Sequence, residues 1–150
     1  MKLNKKKLGI IIIIIALFII IVCLFIKRDK ILLCEFKESN EINITNITIK
    51  VYDKLSKYSV NYLYQYNEGY MDNVVDKYDS VNAYLGIINK KDGINFTIKQ
   101  EGYNLEYNIN LELDKINKED YKLLEIEEIT KLDNIKDIKK YYEDLGYTCE

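Results

Sequence analysis

The distribution of apolar residues divides the chain into two unlike parts. Residues 8–26 contain no charged side chain, and basic residues flank this run at 1–7 and 27–30. A helix of that length spans roughly 28 Å, close to the hydrocarbon thickness of a bilayer. The pattern therefore predicts a transmembrane helix over 8–26, with a cytoplasmic N-terminus at 1–7 and one domain, residues 31–150, outside the cell. A cleaved signal peptide is disfavoured because the run is long and no small-residue cleavage site follows it.

Beyond residue 30, apolar and polar residues alternate, which is the period of a β-strand. The alternation predicts strands over 31–37, 46–52 and 57–66, and we expect the last two to form a hairpin. Two isoleucines that precede the second strand are out of phase with it. This offset predicts a β-bulge near Thr45.

The apolar period then changes to three and four residues, which is typical of an amphipathic helix. It predicts a helix over 69–88. Alternation returns at 94–98 and 103–111, which predicts a second hairpin that turns at Gly102.

The C-terminal part of the chain is predicted to be helical. One helix is expected over 117–129, and another begins at Asp133 as N-cap and ends at Gly146. After the transmembrane helix, the predicted element order is therefore βββ-α-ββ-α-α. This order indicates an α+β domain in which one antiparallel sheet carries its helices on one face.

Charge and composition reduce the classes of partner and of source organism that the sequence allows. Residues 31–150 contain 15 Lys and Arg against 23 Asp and Glu, a net charge of −8. An acidic domain argues against a nucleic-acid partner, which requires a basic surface. Ile, Lys, Asn and Tyr make up half of the chain, and their A/T-rich codons indicate an AT-rich bacterial genome.

The sequence lacks the residues that common catalytic sites need. It contains no His, which excludes Ser-His-Asp and Cys-His triads, and no glycine-rich phosphate-binding motif. Asp72, Asp76 and Asp79 lie on the outer side of the predicted helix, where a solvated surface is a simpler interpretation than a cation site. We therefore expect no enzyme activity, no cofactor and no metal site. A pair of carboxylates acting alone, as in glycosidases, stays open as an alternative.

The tyrosines are the remaining chemical signal. All fourteen lie beyond residue 30, and several share predicted strand faces. One interpretation is a tyrosine-rich core with hydroxyls at its rim; the other is an exposed aromatic face that binds a peptide, a glycan or a partner protein. The candidate face consists of Tyr58, Tyr62, Tyr64, Tyr66, Tyr103 and Tyr107.

Three cysteines occupy different environments. Cys23 lies in the apolar run, Cys34 in the first predicted strand, and Cys149 next to the last residue. In an oxidising compartment we expect a Cys34–Cys149 disulfide that joins the first strand to the last helix; in a reducing one both thiols would be free. A zinc site is disfavoured because a chain without His supplies too few ligands.

Short segments at both ends of the predicted domain carry a family resemblance. Cys34-Glu35-Phe36 and the closing Gly146-Tyr147-Thr148-Cys149, with hairpin, helix, hairpin and helix between them, resemble the small extracytoplasmic proteins of Gram-positive bacteria related to the YehR-like lipoproteins. The resemblance covers residues 31–150. It implies a cell-envelope domain of undefined function with the two terminal cysteines paired. The chain departs from the lipoprotein pattern in lacking a lipobox, so the apolar helix is the expected anchor.

The leading hypothesis is a single-pass protein of the cell membrane with an acidic, tyrosine-rich domain outside. Its expected role is binding or structural, and its expected partners are the membrane and a protein, peptide or glycan of the envelope. One alternative is a membrane-tethered immunity or stress-response protein that acts through its helix. A less favoured alternative is a hydrolase that uses carboxylates only.

Overall fold

The computed structural model describes residues 31–52 and 55–150. The predicted transmembrane helix at 8–26 and its basic flanks lie outside these residues. Within the described ranges, no helix combines the length and the apolar character that a membrane crossing requires.

Six strands form one antiparallel sheet. Their bounds are β1 (Ile31–Ser39), β2 (Asn43–Tyr52), β3 (Lys57–Tyr66), β4 (Ile94–Glu101), β5 (Asn104–Glu112) and β6 (Thr148–Cys149). In the sheet they lie in the order β4-β5-β3-β2-β1-β6. The tyrosine-rich β3 is therefore an inner strand, between β2 and β5.

Two helices cover one face of this sheet. Helix α1 (Met71–Ile88) connects β3 to β4, and helix α2 (Ile135–Asp144) precedes β6. Leu85 of α1 and Ile138 of α2 belong to the same buried core as Ile49 of β2. Because side chains alternate between the two faces of a strand, the core residues of a strand are two positions apart, as Ile49 and Val51 are in β2.

The other face of the sheet is polar. Thr48, Asn61, Asn108 and Thr97 lie directly opposite one another on the four strands from β2 to β4. In the part of the chain that the structure describes, both helices pack on the opposite side, so these amides and hydroxyls remain accessible to water. A sheet that is packed on one face and solvated on the other has this alternation of apolar and polar residues.

The predicted fold class is wrong. The described residues form a six-stranded antiparallel sheet with two helices, and they include no membrane-spanning helix. In place of a helix at 117–129, the chain forms two short 3-10 helices, Lys118–Asp120 and Ile129–Lys131. Leu124 and Ile126 are both buried. In an α-helix, residues two apart point about 200° away from each other, so a continuous helix could not bury both.

The end of the chain differs from the prediction as well. Helix α2 begins after Asn134, whose side chain accepts hydrogen bonds from two backbone N–H groups, and not at Asp133. The helix itself ends at Asp144, and Gly146 follows with a φ of 90° in the C-terminal cap, where the sequence placed it. The residues beyond it pair with β1 as β6, so the last element is a strand.

The predicted bulge near Thr45 is also absent. Strand β2 pairs with β1 and β3 in an uninterrupted register from Ile44 to Val51. Ile44, which is out of phase with the apolar residues of β2, lies instead on the outer face of the sheet, opposite Gln65 of β3.

Candidate functional site: a tyrosine-lined cleft

A disulfide joins Cys34 of β1 to Cys149 of β6, as predicted. The two residues lie directly opposite each other in the antiparallel ladder, and both are buried. Backbone hydrogen bonds between Leu33 and Glu150 extend the same pairing to the end of the chain. The disulfide therefore attaches the segment after α2 to the sheet.

The tyrosines of β3 stand on the covered face of the sheet in a row. Tyr62 stacks on Tyr107 of β5, with ring centroids 4.5 Å apart, and Tyr64 lies 6.1 Å from the same ring. Tyr66 continues the row at 6.3 Å from Tyr64. The register explains this arrangement, since Tyr62 and Tyr107 are direct cross-strand partners.

Above this row, the two helices leave a cleft of about 410 Å³. Its floor is formed by β2, β3 and β5, and its walls by α1, by residues 124–129 and by the C-terminal end of α2. A volume of this size is typical of small-molecule sites. We call it the tyrosine cleft, because seven tyrosines line it: Tyr58, Tyr62, Tyr84, Tyr107, Tyr141, Tyr142 and Tyr147.

Two tyrosines close the cleft at its base. The hydroxyls of Tyr58 and Tyr142 share a hydrogen bond of 2.7 Å, and both side chains are buried. Burial raises the pKa of each hydroxyl well above its ordinary value. Burial also raises the pKa of Tyr62 and Tyr107. All four phenols therefore keep their protons at pH values at which an ordinary tyrosine loses them.

The cleft also contains one acidic and one basic side chain. Glu125 is the single carboxylate among the described residues that line it, and Lys77 of α1 is the single ammonium. The Lys77 Nζ lies 4.8 Å from the centroid of the Tyr64 ring, which is a cation–π arrangement. Burial raises the pKa of Tyr84, and the Glu125 charge raises it further.

Glu125 occupies an unusual backbone conformation. Its φ is 57°, and its N–H donates to the Lys122 carbonyl while the Ile126 N–H donates to the Tyr121 carbonyl. This pair of bonds is the Schellman motif, in which a glycine normally takes the left-handed position. A non-glycine residue there costs about 1 kcal/mol. The chain therefore keeps a carboxylate at the cleft in a conformation that favours glycine.

The structure places the predicted aromatic residues as follows. Five of them, Tyr58, Tyr62, Tyr64, Tyr66 and Tyr107, lie on the covered face of β3 and β5. Tyr103 lies in the β4–β5 turn, where its carbonyl accepts a hydrogen bond from the Tyr66 N–H. Tyr58 and Tyr107 are buried, whereas Tyr62, Tyr64 and Tyr66 are half-buried.

Sequence reasoning missed the walls of the cleft. Tyr84 comes from α1, Tyr141 from α2 and Tyr147 from the segment before β6. No short-range spacing connects these positions with β3. The positive φ of Glu125 could not be predicted from the sequence either, because the usual indicator of that conformation is a glycine.

Comparison with known proteins gives one structural match. The solution NMR structure of the Escherichia coli YehR protein superposes on 81% of this chain and 92% of its own, with a TM-score of 0.59 and 14% sequence identity. No protein-family model and no curated protein matches the sequence. At this identity the match supports a YehR-like fold alone. The Gram-positive origin and the lipoprotein relationship stay predictions.

Proposed function

We propose that the chain is a binding domain that works outside the cytoplasm and takes a small ligand into the tyrosine cleft. The observation that carries this proposal is the cleft itself, a concave site of about 410 Å³ walled by two helices and floored by stacked tyrosines. Sites for small molecules combine an aromatic lining with a few polar groups in this way.

The chemistry of the lining favours binding over catalysis. A hydrolase that works with carboxylates alone needs two of them on either side of the scissile bond. Among the described residues that line the cleft, Glu125 is the only carboxylate. The tyrosine hydroxyls are poor proton donors for catalysis at neutral pH, because burial raises the pKa of Tyr62 and Tyr107 further above neutrality. They are suited to hydrogen bonding and to contact with a ligand.

The proposed compartment rests on the disulfide. Such bonds persist in oxidising environments and are rare where glutathione and thioredoxin keep thiols reduced. The Cys34–Cys149 bond also attaches the segment that carries Tyr147, a wall residue, to β1. A location outside the cytoplasm would therefore preserve the cleft as well as the fold.

Probe titrations monitored by NMR test the proposal. Quaternary ammonium ions, oligosaccharides and short peptides are added separately to the isotope-labelled protein, and the signals of cleft residues are followed. We expect at least one class to shift those signals at millimolar concentration. No shift with any class would contradict the proposal.

A blocking variant locates the binding site. Ser80 is exposed on α1 and lines the cleft, so Ser80→Trp should fill the cleft without disturbing the core. Asn82 is exposed on the same helix and does not line the cleft, so Asn82→Trp is the matched control. Ser80→Trp should abolish the response while Asn82→Trp retains it. Equal responses in the two variants would place binding elsewhere.

A further inference from the structure

We infer that the tyrosine cleft binds an organic ammonium ion, a primary or quaternary amine small enough to enter between α1 and α2. This inference rests on the proposed function and names the ligand chemistry. It draws on four features of the described residues: the aromatic lining, an ammonium group that already lies on one of the tyrosines, a carboxylate without an ion-pair partner, and the charge of the domain.

The aromatic lining offers electron-rich rings. Four half-buried tyrosines approach the cleft from β3, α1, α2 and the segment before β6: Tyr62, Tyr84, Tyr141 and Tyr147. The face of a phenol ring carries partial negative charge and attracts a cation, most strongly where water is excluded. Several rings around one space therefore form the kind of aromatic enclosure that holds quaternary ammonium groups.

Lys77, which lines the cleft, places its ammonium group on Tyr64, the neighbour of Tyr62 in the tyrosine row. The Lys77 Nζ lies 4.8 Å from the centroid of Tyr64, at the edge of the cleft. Among the described residues, Lys77 forms no salt bridge with an acidic side chain. This contact is the cation–π geometry that the inference assigns to the ligand.

Glu125 adds a negative charge to the same space. It lines the cleft, and no ion pair joins it to another residue in the described ranges. The Glu125 side chain is exposed, and Tyr62 and Tyr84 line the same cleft. Its left-handed backbone is a conformation that a glycine would adopt without strain. A backbone outlier at a cleft points to a role for its side chain.

The overall charge favours the same class of ligand. Residues 31–150 carry a net charge of −8, which attracts cations and repels anions as they approach. A neutral saccharide could hydrogen-bond to Glu125 but would gain no attraction from this field. An anion would find one cationic side chain, Lys77, among the described residues that line the cleft, and would be repelled by Glu125 in the same lining.

A matched pair of probes tests the inference. Choline and its uncharged isostere, in which carbon replaces the quaternary nitrogen, are titrated into the full chain, with NMR shifts of cleft residues as the readout. Choline should bind at least about tenfold more tightly, because the two molecules have the same shape and differ in charge. Equal affinity would overturn the inference, since binding would then be apolar only.

Substitutions identify the groups that recognise the charge. Glu125→Gln should weaken choline binding about two- to fivefold, whereas Glu119→Gln, which removes the same charge from an equally exposed position outside the cleft, should change it less than about twofold. Lys77→Met should strengthen binding about two- to threefold because it removes a like charge. Equal effects of the two glutamate variants, or weaker binding by Lys77→Met, would contradict the inference.

Glu125→Gly separates binding from folding. It should weaken choline binding like Glu125→Gln and yet raise the melting temperature, because glycine suits the left-handed conformation. A lower melting temperature would mean that the side chain of Glu125 serves the fold, which overturns its assignment to the ligand. If saccharides or peptides bind the cleft and choline does not, this inference fails while the proposed function stands. If no probe binds, both fail.

Discussion

Raising the pH above the ordinary pKa of tyrosine, 10.0, should unfold this protein. Burial raises the pKa of Tyr58, Tyr62, Tyr107 and Tyr142 well above that value in the folded state. In the unfolded chain the same hydroxyls lose their protons near the ordinary pKa. Above it, the unfolded state binds fewer protons than the folded state, so the free energy of unfolding falls as pH rises. The stabilisation is fully present below pH 10.

The magnitude follows from the number of groups. One pH unit above the ordinary pKa, each hydroxyl that stays protonated only in the folded state costs about 1.4 kcal/mol of stability. Four such groups lower the free energy of unfolding by about 5–6 kcal/mol, and Tyr62 contributes least because it is half-buried. Domains of this size are stable by about 5–15 kcal/mol, so the loss is comparable to the total.

The assay is denaturant unfolding at a series of pH values between about 8 and 11, with the disulfide verified on non-reducing gels. The matched variant is Tyr58→Phe with Tyr142→Phe, which removes both partners of the buried hydrogen bond and keeps the shape of the rings. Its stability at neutral pH should be nearly unchanged, because neither ring leaves an unpaired hydroxyl. Its alkaline loss should be about half that of the wild type. An equal loss in both proteins, or none in either, would refute the reasoning.

Three further predictions concern the fold. Replacing Cys34 and Cys149 by Ala should lower the free energy of unfolding by up to about 5 kcal/mol, because the disulfide closes a loop with a sequence separation of 115. Denaturant titration measures this loss, and an unchanged free energy of unfolding would contradict the prediction. Gly93→Ala should lower stability more than Gly69→Ala, although both glycines have a positive φ. A Cβ at position 93 would lie 2.8 Å from a backbone oxygen, whereas a Cβ at position 69 would have no atom within 4 Å. Asn134→Ala should lower stability by about 1 kcal/mol in thermal unfolding, because it removes the N-cap of α2. Asn134→Asp keeps an accepting oxygen and should retain most of the wild-type stability.

Periodicity predicted the elements whose faces are set by local geometry. Strand β3 occupies Lys57–Tyr66, the predicted range, and its even-numbered tyrosines share one face because strand side chains alternate. Helix α1 occupies Met71–Ile88, within the predicted 69–88. In both elements the buried residues follow a single period over at least eight positions. Each of these residues therefore indicates the same secondary structure as its neighbours.

The predictions failed where burial does not follow one period. Leu124 and Ile126 are both in the core, and the left-handed Glu125 between them makes this possible. Strand β6 is two residues long and pairs with β1, more than a hundred positions earlier in the chain. A strand that short has no pattern of its own, and its pairing partner and the disulfide define it.

The sequence by itself determined the alternating faces of β3 and β5, the apolar face of α1, the acidic character of residues 31–150 and the candidate pairing of Cys34 with Cys149. Only the tertiary structure decided that tyrosines from β3, α1 and α2 meet around one cleft, and that Glu125 lies there with a left-handed backbone. The physical reason is the distance along the chain over which each feature is set. Side-chain direction within a strand or helix follows from backbone geometry over a few residues, whereas a cleft depends on how distant elements pack together.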